Sequence, residues 1–200
     1  MGKILLKEQY VNRFMQNVND IELQLLTSNC LFSPGNVDKG TFLMIQNAEV
    51  DLSDYILDLG CGYGVVGIYF AKILSPQNVV MSDIDAKAVE IAKKNAELNG
   101  VGDILIIKSD GFKDLPISGF THIFSNPPYH ADFSIPKHFI EKGFNRLALG
   151  GKMHMVTKRK DWYKNKLTSI FGGVRVLHQD GYYVFQAEKR QEKYANKGAK

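Results

Sequence analysis

The pattern of apolar positions changes near residue 54. From there to about residue 190, short apolar runs that suit buried strands alternate with longer segments whose apolar residues recur at helical spacing. This alternation predicts an α/β fold, with a largely parallel sheet and helices on both faces. The predicted strands cover 55–57, 78–82, 103–108, 121–125 and 152–157, and the predicted helices cover 65–74, 86–98 and 135–149.

The end of the chain departs from this alternation. Two apolar runs, 174–179 and 182–187, flank the dipeptide Asp180-Gly181. Such a dipeptide between two strand-like runs is a strong signal for a two-residue hairpin. The sequence therefore predicts seven strands in one sheet, of which the last two form an antiparallel β-hairpin.

A glycine-rich loop, residues 58–64, follows the first predicted strand and precedes the first predicted helix. Glycine tolerates positive φ and lets a ligand approach the backbone closely, so the loop suits a nucleotide-like molecule. Gly62, Gly64 and Gly67 also nearly match the dinucleotide fingerprint G-x-G-x-x-G.

Two carboxylates argue against a dinucleotide. Asp58 lies directly before the glycines, where it would repel a pyrophosphate but could hold a cationic amino group, directly or through water. Asp83 follows the second predicted strand and suits both hydroxyls of a ribose. Ligands of open α/β sheets bind at the carboxyl ends of strands, where both residues are predicted to lie.

The loop Asn126-Pro127-Pro128-Tyr129 follows the fourth predicted strand. An Asn carboxamide oxygen and a Pro carbonyl can accept both hydrogens of a conjugated NH2 group, while Tyr129 stacks on its plane. Such an amine is a poor nucleophile until its lone pair is localised. The other interpretation is a proline-rich β-turn without chemistry.

These motifs resemble the class I S-adenosylmethionine-dependent methyltransferases that carry an N-P-P-[YF] loop. Most of the chain shares the resemblance, which is nearest to the ribosomal RNA small-subunit guanine-N2 methyltransferases, the methyltransferase small domain family. It implies a Rossmann-like domain, S-adenosylmethionine as cofactor and S-adenosylhomocysteine as product. The catalytic residues implied are Asn126, Pro127, Pro128 and Tyr129, and the cofactor-binding residues are Asp58, Gly60, Cys61, Gly62, Gly64, Asp83, Ile84, Asp110, Gly111, Phe112 and Asn126.

The first fifty residues are predicted to form an N-terminal extension with a short strand and a helix. In the guanine-N2 enzymes that the chain resembles, a similar segment forms part of the lid of the cofactor pocket. Phe32, Asp38, Gly40 and Thr41 are its candidate cofactor residues. Phe32 in the core and Asp38 as a helix cap are the alternatives. The remaining predicted divisions are the methyltransferase domain, 51–190, and a disordered basic tail, 191–200.

Composition agrees with one globular domain. The 200 residues are 44% hydrophobic and 23% charged, enough for one α/β core. Two cysteines predict no disulfide framework, and no histidine has metal-ligand spacing, so no metal site is predicted. We expect a cytoplasmic protein without a signal peptide or membrane span.

Charge is unevenly distributed along the chain. Residues 151–200 contain twelve Lys or Arg against four Asp or Glu, a net +8, whereas residues 1–150 contain 13 against 17, a net −4. Lys158, Arg159 and Lys160 follow the fifth predicted strand and are candidate RNA contacts, together with His130. RNA is therefore the predicted partner. Oligomeric state, monomer or dimer, is left open.

The main hypothesis is an N-methyltransferase for the exocyclic amine of a nucleobase, with guanine N2 of ribosomal RNA as the first choice. Tyr129 stands where the guanine enzymes usually carry phenylalanine, so adenine N6 and the glutamine amide of a release factor are alternatives. A further alternative is an RNA-binding or assembly factor that keeps the cofactor fold without activity.

Overall fold

The computed structural model describes residues 11–28, 37–128 and 132–195. The elements form a seven-stranded sheet with helices on both faces, and a separate two-stranded hairpin. In chain order they are β1 Val11–Val18, β2 Ile21–Ser28, α1 Lys39–Gln46, β3 Ile56–Leu59, α2 Val65–Ile73, β4 Val79–Asp83, α3 Ala86–Leu98, β5 Leu105–Lys108, β6 Phe120–Ser125, α4 Ser134–Arg146, β7 Leu147–Thr157, α5 Lys160–Phe171, β8 Arg175–Gln179 and β9 Tyr182–Glu188.

The large sheet has the strand order β5-β4-β3-β6-β7-β9-β8. Strands β3 to β7 pair in parallel, and β9 pairs antiparallel with both β7 and β8. The predicted seven-stranded, mostly parallel sheet with a C-terminal antiparallel hairpin is confirmed. The chain runs outward from β3 to β5 and then returns to β6, so the topological switch point lies between β3 and β6, where open α/β sheets bind ligands.

The sheet separates two hydrophobic clusters. Alternate residues of β3 point to opposite faces: Ile56 joins the cluster with α2 and α3, whereas Leu57 and Leu59 join the cluster with α4 and α5. All three are at most 1% exposed. Because both faces are covered, β3 is apolar throughout except at Asp58, and a buried carboxylate at that position needs a functional explanation.

The hairpin β1–β2 was not predicted from the sequence. Asn19 and Asp20 form its two-residue turn with positive φ, which Asn and Asp tolerate. Asn95 of α3 holds β2, because its side chain accepts from the Leu26 N–H at 2.7 Å and donates to the Leu26 carbonyl at 2.9 Å. Asn99, one turn later, binds both backbone groups of Gln24 in the same way.

Helix α3 begins and ends as predicted. Asp85 is its N-cap, accepting from the Lys87 N–H, and Asn99 is its C-cap. The predicted end of the next helix was wrong. Helix α4 ends at Arg146 rather than at 149, and β7 begins at Leu147 and runs through Gly150-Gly151. The glycine pair forms an irregular part of the strand, with hydrogen bonds in both directions between these glycines and Lys189.

Helix α5 was also missed, although Tyr163, Leu167, Ile170 and Phe171 are buried at helical spacing. The predicted disorder of the tail is wrong for residues 191–195. The Tyr194 hydroxyl donates to the Glu141 carbonyl at 2.8 Å, and its ring packs edge-on against Phe144. Apolar contact and a hydrogen bond thus hold this segment on α4. Among the described residues, no helix is long and apolar enough to cross a membrane.

Candidate active site

A cavity of about 360 Å³ opens at the carboxyl ends of β3, β4 and β6. This size is within the range of small-molecule and cofactor sites. The lining of the cavity comes from the glycine loop, the strand ends, the start of α1 and the segment Asn126-Pro127-Pro128, which we call the acceptor loop. Fourteen of the lining residues are Val37, Asp38, Thr41, Asp58, Gly60, Cys61, Gly62, Asp83, Ile84, Asp110, Gly111, Asn126, Pro127 and Pro128.

The glycine loop wraps one end of the cavity. Gly62 has φ +56°, and its N–H donates to Asp83 at 2.8 Å. Gly67 lies so close to β4 that an added Cβ would be 2.4 Å from the Met81 Cγ. The third glycine of the near-fingerprint therefore serves the packing of α2 on the sheet, a role that dinucleotide folds share.

Asp58 is a buried carboxylate at the end of β3. It is 3% exposed and accepts the Gly67 N–H at 2.9 Å. Burial, partly offset by this hydrogen bond, raises the pKa of Asp58 to about 7, and Asp83 adds to the rise. No ion pair among the described residues includes Asp58. The site is therefore suited to a ligand that brings its own positive charge.

Asp83 orders the loop and faces the same cavity. One carboxylate oxygen accepts the Gly62 N–H, and the other accepts the Asp85 N–H at 2.9 Å. Each oxygen of a carboxylate has two acceptor sites, so both retain capacity for a ribose hydroxyl. Next to it Ile84 is 61% exposed, and it provides an apolar wall for a flat ring.

Asn126 is held from its nitrogen end. Its Nδ2 donates to Asp38 Oδ1 at 3.0 Å and to Thr41 Oγ1 at 2.9 Å. Its Oδ1 is buried and has no hydrogen-bond partner among the described residues. Buried polar atoms are nearly always paired, so an unpaired carbonyl oxygen beside a cavity points to a donor from a ligand.

Asp38 does cap α1, accepting the Thr41 N–H at 3.2 Å, and it also lines the cavity. The capping interpretation is therefore shown, and the cofactor role stays a prediction for a residue at the cavity wall. Its second oxygen accepts from the Tyr182 hydroxyl at 3.0 Å. Sequence reasoning missed Tyr182, because the residue lies 144 positions after Asp38 and no local pattern connects them.

Several predicted site residues lie elsewhere. Gly40, Gly64 and Phe112 are described but do not line the cavity; Phe112 is 4% exposed and belongs to the core beside α4. Phe32, Tyr129 and His130 lie outside the described residues. Ile135 and Phe139 of α4 line the cavity and were not predicted.

The basic residues after β7 stack on aromatic rings at the same edge of the sheet. Lys158 Nζ lies 4.9 Å from the Tyr182 ring centre, Arg159 Cζ lies 4.9 Å from that of Phe133, and Lys160 Nζ lies 5.8 Å from that of Tyr183. All three cations are exposed. The Phe133 ring also stacks on Trp162 at 4.4 Å. Cations combined with aromatic rings are typical of surfaces that bind single-stranded nucleic acid.

Two buried histidines lie apart from this cavity. His122 Nδ1 is 2.9 Å from His154 Nε2, and His122 Nε2 is 3.2 Å from Asp54. Burial lowers the pKa of both histidines, so they contribute neutral hydrogen bonds within the sheet. Within the described ranges, no group of three or more His, Cys, Asp or Glu could hold a metal ion.

Comparison with known proteins supports the cofactor and the fold. Residues 22–186 match the methyltransferase small domain family. YbxB of Bacillus subtilis is 33% identical over 165 residues, covering 80% of this chain and 82% of that protein. Ribosomal RNA small subunit methyltransferase C of Pseudoalteromonas atlantica is 36% identical over 165 residues, covering 80% of this chain and 47% of that protein.

A solved structure has the same fold. The Thermus thermophilus 16S rRNA N2 G1207 methyltransferase RsmC, in complex with AdoMet and guanosine, superposes with a TM-score of 0.81 at 26% identity, over 90% of this chain and 51% of RsmC. The chain thus spans about half the length of RsmC and of the methyltransferase C relative. These matches place the chain in the methyltransferase small domain family, as a methyltransferase domain whose cofactor is S-adenosylmethionine.

Proposed function

We propose that this domain methylates the exocyclic amine of a nucleobase in RNA, and that the acceptor is N2 of guanine in small-subunit ribosomal RNA. The observation that carries the proposal is the unpaired Oδ1 of Asn126. Because Asp38 and Thr41 hold the amide nitrogen, the group left for a ligand is an acceptor, and an NH2 group is the matching donor.

The residues of the site suit methyl transfer by positioning. Asn126 Oδ1 accepts one N–H of the substrate amine, and the Pro127 carbonyl is the predicted acceptor of the second. These two hydrogen bonds hold the N–H hydrogens out of the conjugated plane, which localises the nitrogen lone pair and orients it. Asp58 and Asp83 are the predicted partners of the amino group and the ribose of S-adenosylmethionine. Positioning and preorganised electrostatics of this kind supply most of the rate enhancement.

The chemical step needs no strong base before attack. S-adenosylmethionine supplies an electrophilic methyl group, whose bond to sulfur breaks with the electron pair passing to sulfur. The amine nitrogen forms the new bond to carbon and becomes acidic only then, so it can lose its proton to water.

RNA is favoured over protein by the charge beside the acceptor loop. Lys158, Arg159 and Lys160 are exposed at the carboxyl end of β7, the edge at which Asn126 follows β6. Guanine is favoured by the similarity to RsmC, whose structure contains AdoMet and guanosine. A ribosomal RNA acceptor also implies a cytoplasmic protein.

The test is transfer of isotope-labelled methyl groups to small-subunit ribosomal RNA transcribed in vitro, and to subunits assembled from that transcript. Mass spectrometry of the digested nucleosides is expected to show N2-methylguanosine. Large-subunit transcript is the matched control and should remain unlabelled. Label in N6-methyladenosine would overturn the choice of base. A release factor is offered in a parallel reaction, and label in its glutamine with every RNA unlabelled would overturn RNA as the acceptor. Binding of S-adenosylmethionine without transfer to any of these substrates would favour the assembly factor.

A further inference from the structure

We propose that Asp38 and Tyr182 form a positioning pair, through which the C-terminal hairpin β8–β9 fixes the catalytic orientation of Asn126. This inference rests on the proposed function of Asn126 as the acceptor of the substrate amine. Neither Asp38 nor Tyr182 needs to touch the substrate for the pair to act.

The orientation of an Asn amide is ambiguous unless its neighbours define it. Rotation by 180° about χ2 would exchange Nδ2 and Oδ1 and present donors to the substrate amine instead of an acceptor. An ionised carboxylate only accepts hydrogen bonds, so Asp38 Oδ1, 3.0 Å from the amide, selects its NH2 end. Thr41 Oγ1 accepts the second hydrogen at 2.9 Å.

Asp38 is itself held at both oxygens. Oδ1 accepts the Thr41 N–H within the cap of α1, and Oδ2 accepts the Tyr182 hydroxyl from the start of β9. Burial and the adjacent carboxylate raise the pKa of Tyr182 to about 12, so its hydroxyl remains a donor at physiological pH. The Asp38 side chain therefore cannot rotate away from Asn126 without losing a hydrogen bond.

Gly40 makes the approach of Tyr182 possible. A Cβ at this position would be 2.5 Å from Tyr182 Cδ1 and 2.9 Å from Asp38 Oδ1. The segment Asp38-Lys39-Gly40-Thr41 thus combines the carboxylate, the space for the ring and the second acceptor for Asn126. Its glycine is explained by a contact with β9, since Gly40 does not line the cavity.

Asp38 also has an electrostatic effect on Asn126. A carboxylate that accepts from Nδ2 polarises the amide and shifts electron density to Oδ1, because hydrogen bonds in series strengthen one another. The Tyr182 hydroxyl donates to the same carboxylate, so its part is to hold Asp38 in place and not to add to this polarisation. Loss of the hydroxyl should therefore loosen Asp38 and the orientation of Oδ1, a change that acts on the methyl-transfer step rather than on cofactor binding.

Tyr182→Phe is the direct test, because it keeps the ring against Gly40 and removes only the hydroxyl. We expect kcat on the small-subunit transcript to fall about tenfold, as for loss of one hydrogen bond to a charged acceptor. KM for RNA and Kd for S-adenosylmethionine should stay within twofold of wild type. Tyr69→Phe is the matched control, since the Tyr69 hydroxyl accepts from Asn19 Nδ2 in the turn of the hairpin β1–β2 and does not line the cavity. A kcat within twofold of wild type in folded Tyr182→Phe would overturn the proposal.

A double-mutant cycle separates positioning from a general structural effect. In the Asn126→Ala background, Tyr182→Phe should have no further effect on single-turnover rate, because the residue it positions is gone. Losses that multiply would show that Tyr182 acts by another route.

The Asn126 side-chain amide gives a readout that does not depend on activity. Its ¹H–¹⁵N signals, assigned by their loss in Asn126→Ala, should shift in Tyr182→Phe and stay unchanged in Tyr69→Phe. Unshifted signals in Tyr182→Phe would contradict the pair even if the wild type methylated no RNA. Shifted signals without any methyl transfer would keep the pair and overturn the proposed function alone.

Discussion

At the scale of single residues, Asp58 has an unusually high pKa for a carboxyl group. Its carboxyl is buried, and its pKa is raised to about 7. A cationic amino group beside it would favour the charged form, so S-adenosylmethionine binding should release a proton near neutral pH. We expect affinity, measured by calorimetry, to fall about tenfold from pH 8 to pH 6, since the free carboxyl becomes mostly protonated over that interval.

Asp58→Asn is the control for this pH dependence, because it keeps the shape and removes the titrating group. Its cofactor affinity should be weaker and nearly constant from pH 6 to pH 8. The folding stability of the cofactor-free protein depends on pH in the opposite direction from cofactor affinity. Because the folded state raises the pKa of Asp58, the protonated carboxyl contributes stability at low pH, and this contribution is lost as pH rises through about 7. Equal pH dependence of cofactor binding in wild type and Asp58→Asn would exclude Asp58 as the amino-group partner.

Asn126→Ala tests the acceptor role. The variant should lower the methyl-transfer rate by about 10²–10³, as for removal of one preorganised electrostatic interaction, with cofactor affinity unchanged. Single-turnover kinetics on the labelled transcript measure the effect at the chemical step. Asn78→Ala is the comparison variant, since Asn78 lies before β4 and donates to Leu52. Turnover within fivefold of wild type would exclude the proposed role of Asn126.

From the sequence, the position of a candidate site residue could be predicted where a strand end defined it, whereas its role stays a prediction. A recognisable strand leads to each of three residues, Asp58, Asp83 and Asn126. Parallel strands bring their carboxyl ends to one edge of the sheet, so these residues lie around one cavity. Tyr182 was out of reach, because its role depends on a contact between β9 and α1 that only the folded sheet defines. The Asp180-Gly181 turn could locate Tyr182 in a strand but could not identify its partner.

At the scale of elements, the hairpin β1–β2 depends on side chains of α3. Asn95 is fully buried and makes three hydrogen bonds, two to the backbone of Leu26 and one to the Tyr63 carbonyl at 2.8 Å. Asn95→Ala would leave these groups without partners and should lower the free energy of unfolding by about 3 kcal/mol. Urea denaturation measures this change.

Asn99→Ala is the matched comparison. Asn99 makes the same kind of bridge to Gln24, but it lies at the partly exposed end of α3, where water can replace the amide. Its removal should cost about 1 kcal/mol. Stability of Asn95→Ala within about 0.5 kcal/mol of wild type, below the usual effect of one hydrogen bond, would show that apolar packing alone holds β2.

The elements that sequence reasoning missed have physical explanations. β2 has the alternating apolar residues of a strand at Ile21, Leu23 and Leu25, a pattern that sequence reasoning did not use. The edge of β2 is bound by the side chains of Asn95 and Asn99 rather than by another strand, and no local pattern predicts that contact. Helix α5 contains four charged residues in twelve, which concealed its buried stripe. The α4–β7 boundary was misplaced because Gly150-Gly151 resembles a helix end, whereas the glycines are used inside an irregular strand.

At the scale of the whole molecule, the net charge changes sign between the part of the chain that lines the cavity and the part that follows it. The first 150 residues, net −4, contain the described walls of the cavity, and the last fifty, net +8, add β9, α5 and the basic residues after β7. The proposed cofactor site is thus on the acidic part of the chain, and a basic edge adjoins the acceptor loop. This separation makes the two binding events separable by mutation.

Neutralising Lys158, Arg159 and Lys160 together to Gln should weaken binding of the small-subunit transcript and reduce its dependence on salt. For single-stranded RNA, the log–log slope of affinity against salt falls by about 0.7 for each phosphate that the protein no longer neutralises, since fewer counterions are released. Gln is preferable to Glu, because Lys158 lies over the Tyr182 ring and a new negative charge there would face Asp38.

The control variant removes three exposed lysines from the other half of the molecule, Lys72, Lys93 and Lys94 of α2 and α3. It changes net charge by the same amount, so a general electrostatic effect of the whole protein would alter both variants equally. We expect the salt slope to change only when the edge after β7 is neutralised, with S-adenosylmethionine affinity equal in all three proteins. Equal slopes for the two variants would place the RNA elsewhere on the molecule, because RNA bound at this edge must release counterions there.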